Sequence, residues 1–127
     1  MRGDYMRIAA VAKAMPLFLV VALWGADGSG KTETVKGYVI DSACAFTKSL
    51  DKPISPDCAR ACAKAGSTLA ILTSDGTIYW PIAGTTPSSG QNDKLLPFAG
   101  EQVTASGKVF ERKGSKAIVI DKIDAAK

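Results

Sequence analysis

Five short β-prone runs, each closed by a turn signal, constrain this chain of 127 residues more than any other feature. The first is "TVKGYVIDSA", where Val35, Gly37 and Val39 alternate with Lys36, Tyr38 and Ile40. "STLAILTSDGTIYWPIAG" contains two more, joined as a hairpin across Ser74-Asp75-Gly76, with Asp-Gly as the turn. "EQVTASGKVFER" and "KAIVIDKID" are the last pair, joined by Lys113-Gly114-Ser115, with Val103, Ala105 and Val109 on one apolar face. Strands this short and this closely spaced close most readily into a small barrel or a strongly curled sheet. Closure also removes the exposed edges on which other chains could pair.

One helix interrupts the strands. Ser55 is a good cap, Pro56 suits the first helical position, and Asp57 puts an acid in the first turn. The helix "PDCARACAKA" then ends at Gly66. Residues 45–55 read as a loop, residues 84–94 as a polar loop, and "NDKLLPFAG" as one short helical turn before Gly100. No internal repeat is visible.

The chain opens like an export signal. Arg2, Arg7 and Lys13 make a basic start, Met15 to Trp24 an apolar stretch, and Ala26 and Gly28 a small-residue cleavage region. That stretch is too short to cross a bilayer, which takes roughly 20 residues. Residues 1–28 are therefore expected to be a signal peptide, 29–34 a flexible lead-in, and 35–125 the folded domain, periplasmic or secreted. Cleavage leaves about 99 residues, enough for one modest core. No stable membrane span is expected after it. The net charge of +4 comes from scattered lysines, which suit solubility more than a particular anionic partner.

Across the cleavage region, "GADGSGKT" (residues 25–32) fits the phosphate-loop pattern, and "AIVID" (117–121) resembles a magnesium-binding strand. A phosphate loop must lead into a helix whose first N–H groups hold the anion. Here it leads into "ETVKGYVID", which has strand alternation and no helical stripe. The match is an accident, and no nucleotide is expected.

The chemistry lies in the cysteines. Cys58 and Cys62, four apart on the helix, share one face, and Cys44 follows the first strand closely enough to fold back onto it. The helix start at Cys58, together with Arg60 and Lys64, is expected to favour anionic sulfur. Three uses compete. Cys44 bridged to Cys58 or Cys62 closes a loop of about 15 residues and contributes roughly 3 kcal/mol, leaving a spare thiol. Alternatively the three sulfurs bind a soft metal, Cu(I) or Zn²⁺, with Asp41 or an exogenous ligand completing the shell. The third use is redox exchange by a reactive thiolate.

Histidine is absent, so Ser42, Ser88 and Ser89 have no base to activate them and hydrolase chemistry has no footing. Asp75 is explained by its turn and Asp121 by a strand end. Tyr79 and Trp80 offer a stacking surface, but alternation turns one of them to the core.

Several motifs run together: Gly37, Val39, Asp41 and Cys44; then Cys58-Ala59 with Cys62; then Asp75-Gly76 with Tyr79; then Leu95 to Gly100, Val103, Gly107, Lys108 and Val109. Over residues 35–124 the chain thereby resembles a group of uncharacterised exported bacterial proteins with small OB-like barrels. The resemblance implies a mainly β fold, a five-stranded OB-like barrel with one helix between strands 1 and 2. Relatives often carry a histidine shortly before the C-A-x-x-C pair, where this chain has Pro56-Asp57. The expected function is a non-enzymatic accessory or binding module with a three-cysteine site, whose partner is another exported or envelope protein and not nucleic acid. A disulfide-stabilised interaction module without a small ligand is the alternative.

Overall fold

Alternation along residues 35–39 becomes the long strand β1, Lys31–Asp41, in the computed structural model, which describes residues 30–127. The expected signal peptide, residues 1–28, lies outside the described residues. Val35 and Val39 point into the core while Lys36 is exposed. The strand begins earlier than expected. Lys31 to Thr34 pair with Val109 to Ser106, so most of the anticipated lead-in is barrel wall.

β2 (Leu69–Leu72) and β3 (Ile78–Pro81) form the hairpin about Asp75-Gly76. β4 (Gln102–Arg112) and β5 (Ser115–Ala125) form the second, turning at Lys113-Gly114. The order β1-β2-β3-β5-β4 closes into a barrel because β1 pairs at both ends. It runs antiparallel to β4 from Lys31 to Tyr38 and to β2 from Tyr38 to Asp41. β3 meets β5 in parallel, Tyr79 opposite Lys116.

The β4–β5 ladder is bent by a register shift between Ser106 and Gly107. A Cβ on Gly107 would stand 1.8 Å from the Val119 carbonyl oxygen, so only glycine lets the two backbones approach this closely. Inward residues from every strand but the short β3 are buried in one core: Val35, Val39, Ile71, Val103, Ala105 and Ile118 among them.

Two helices, rather than one, connect β1 to β2. The first, α1 (Ser42–Thr47), occupies part of the segment expected as a loop, and the second, α2 (Pro56–Lys64), is the expected one. α1 has only six residues and little intrinsic propensity to form. It is held by the Asp41 cap and by Ala45 packing with Ile40 and Leu72 outside the main core. α2 follows its signals: Ser55 Oγ accepts from the Cys58 N–H at 3.0 Å, and Ala59 and Ala63 are buried in the main core.

After β3, the polar loop leads to α3 (Asn92–Leu95) and a single 3-10 turn, Leu96–Phe98. This corner sets the position of α2. Val39 donates to the Glu101 carbonyl at 3.0 Å and accepts from the Gly100 N–H at 2.8 Å, two residues before Asp41. Gly100 has φ +80°, and its absent Cβ would lie 2.4 Å from Pro56 Cα. The start of α2 thus rests directly on a corner that is hydrogen-bonded to β1.

Candidate metal centre

β1 ends at Asp41, and its side chain turns back to cap α1. Oδ2 accepts from the Cys44 N–H at 3.0 Å, the usual work of an aspartate at this position. Asp41 is nevertheless only 3% exposed, which is unusual for a carboxylate. Its second oxygen, Oδ1, is buried with no hydrogen-bond partner among the described residues. Leaving such an atom unmatched costs about 1–3 kcal/mol, more when charged, so the site calls for a donor or a cation.

Two sulfurs lie beside that carboxylate. Ligand atoms of Asp41, Cys44 and Cys62 all fall within 4.8 Å of one another. Cys44 is brought there by the one-turn helix that Asp41 itself caps. Cys62 comes from the second turn of α2, held in place by Ala59 and Ala63 in the core and by the Gly100 corner. The backbone closes around them: Ser42 N–H donates to Thr68 O at 3.0 Å and Ser67 N–H to Cys62 O at 3.0 Å. Asn92 stitches the same segment, accepting from Leu69 N–H at 2.9 Å and donating to Ser67 O at 2.7 Å. Sequence reasoning did not pick out Ser67 or Asn92 here. Asn92 lies in a polar stretch 25 residues away in sequence, and nothing local marks it.

Charge in the site is set by Asp41. Burial pushes its pKa up, but the Ser67 hydroxyl, the Cys44 N–H and thiol and the Ala43 N–H outweigh this and hold it below the ordinary carboxylate value. The carboxylate in turn pushes the Cys44 thiol up, through their hydrogen bond first, then burial and direct repulsion of a thiolate. Cys62 is pushed up by burial first and then by Asp41. At Cys44 and Cys62 the surroundings therefore favour the thiol over the thiolate. The helix-borne cation Arg60 instead pairs with Asp57 at 3.3 Å.

The third thiol, Cys58, is outside the close group. It lines a surface pocket together with Asp41 and Cys44. All three cysteines are partly exposed and free, and the bridge from Cys44 to α2, one of the three uses the sequence allows, is not formed.

No protein-family model, curated protein or solved structure matches this chain.

The other sequence candidates take structural places. Asp75 accepts from the Thr73 hydroxyl and from the Thr77 N–H at 3.0 Å in its turn. Tyr79 packs on the core beneath the Lys116 ammonium, and Trp80 stacks on Phe46 with ring centroids 6.1 Å apart. No helix among the described residues is long and apolar enough to cross a membrane.

Proposed function

We propose that the protein is an exported, non-enzymatic module that binds one Zn²⁺ ion through Asp41, Cys44 and Cys62. The observation that carries this reading is the buried Asp41 carboxylate, its Oδ1 unpartnered, with two thiols close by. Capping α1 engages Oδ2 alone, whereas a cation supplies a partner for Oδ1. The basic and apolar opening of the chain supports export, and a closed barrel of five strands supports the OB-like reading.

Tetrahedral Zn²⁺, with Zn–S near 2.3 Å and Zn–O near 2.1 Å, holds its ligand atoms about 3.5–3.8 Å apart. Donors already within 4.8 Å reach that spacing by side-chain rotation of about 1 Å. The hard oxygen in the set favours Zn²⁺ over Cu(I), which prefers sulfur alone. Three protein ligands leave a fourth position for water or an exogenous donor. With no histidine in the chain to serve as a base, we read the site as one for binding and handling the ion.

Native mass spectrometry of the reduced full chain with added Zn²⁺ tests the proposal. One bound ion, weakened by Cys44→Ser and by Cys62→Ser, is expected. No bound ion, with Cys44 bridged to α2 in the isolated protein, would leave the disulfide-stabilised interaction module as the better reading.

A further inference from the structure

Resting on the Zn²⁺ reading, we infer that Cys58 is a capture-and-release ligand: the ion first meets Asp41, Cys44 and Cys58, then exchanges Cys58 for Cys62. Two donor sets overlap in the structure. Asp41 and Cys44 belong to the close group with Cys62, and the same two residues line the surface pocket with Cys58. Cys62 is not part of the pocket wall. Cys58 and Cys62 lie one turn apart on the same face of α2, so the ion moves a short way while two of its ligands stay in place.

The pocket suits capture. Its remaining wall is largely apolar, with Ile40, Pro53 and Ile54, and the Ser55 hydroxyl is engaged by the Cys58 N–H. Sulfur and the Asp41 carboxylate are therefore the donors an incoming cation meets. Cys58 itself, in the first turn of α2, is fixed by the serine cap.

The exchange balances without electron transfer. The Cys44 and Cys58 thiols each give a proton to solvent as their sulfurs bind the divalent ion. Cys62 then loses its proton to solvent and forms a third metal–sulfur bond. The Cys58–metal bond breaks, and the Cys58 sulfur regains a proton from solvent. Release to an acceptor thiol runs the same steps backwards. A third cysteine that is absent from the resting shell thereby gives the site a path for passing the ion on.

Stopped-flow transfer of Zn²⁺ between the full chain and a chromophoric chelator tests this. Cys58→Ser is expected to slow uptake and release about tenfold while changing equilibrium affinity less than about threefold. Cys62→Ser is expected to weaken affinity itself. Equal loss of affinity in the two variants would make Cys58 a resident ligand, and unchanged rates would make it a bystander; either overturns the inference. A wild-type chain that binds no Zn²⁺ would overturn the Zn²⁺ reading first. A variant-free check guards against misfolding. In the Zn²⁺-loaded wild type, iodoacetamide should modify Cys58 and spare Cys44 and Cys62, and protection of all three would contradict the inference.

Discussion

The Cys44 N–H donates to Asp41 Oδ2 at 3.0 Å, so one carboxylate both starts a helix and lies beside the sulfur that helix carries. The two roles can be separated. Asp41→Asn keeps an oxygen for the cap and removes the charge, whereas Asp41→Ala removes both. We expect Asp41→Asn to weaken Zn²⁺ binding by at least about tenfold to a hundredfold, and Asp41→Ala to cost the apo fold about 1 kcal/mol more than Asn does. Metal titration and denaturant unfolding of the two variants check this.

Proton release upon binding reports the same electrostatics. Cys44 and Cys62 are held protonated by pKa values above the ordinary thiol value, and Asp41 is held ionised by a pKa below the ordinary carboxylate value. Zn²⁺ binding at neutral pH should therefore expel about two protons, both from sulfur. Affinity should fall as pH is lowered, because protons compete for the two thiols. Calorimetry in buffers of different ionisation enthalpy measures the count.

Far from the site, Asp75 sets a separate pH dependence. The Thr73 hydroxyl and the Thr77 N–H lower its pKa from 3.8 to about 2. A carboxyl depressed on folding stabilises the protein above its unfolded pKa, and that contribution is lost as pH falls through the folded one. Wild type should thus exceed Asp75→Asn in Tm above about pH 4, with the gap closing towards pH 2. Thermal melts of both proteins across that range check the direction.

Gly100→Ala tests how the corner positions the site. The added methyl meets Pro56 Cα in a backbone conformation that L side chains rarely adopt, so the start of α2 must shift. A loss of roughly 2–4 kcal/mol in stability is expected, with weaker Zn²⁺ binding even where the variant remains folded. Gly114→Ala, also at positive φ with open space around it but in the distant β4–β5 turn, is the control and should leave metal binding unchanged.

Much of the barrel was legible in the sequence, for a definite reason. Alternation in "VKGYV" and "VTASGKV", the Asp75-Gly76 turn and the Ser55-Pro56 start all act over a few residues, where local rules hold. The polar start of β1 was not, since "KTET" has no apolar face and becomes strand only by pairing with β4. α1 was not legible either, because six residues carry no helical period and its cap comes from a residue read as strand. The meeting of Cys44 with α2 follows from chain order. Which of Cys58 and Cys62 comes closest depends on how α2 is rotated, and that is decided by Ala59, Ala63 and Gly100 through distant contacts.

X-ray absorption at the zinc edge of the reduced, Zn²⁺-loaded full chain reads the ligand set directly. A first shell of two sulfurs completed by oxygen is the expected result. A shell of oxygen or nitrogen alone would contradict a centre built on Asp41, Cys44 and Cys62, and three sulfurs would put Cys58 in the resting shell.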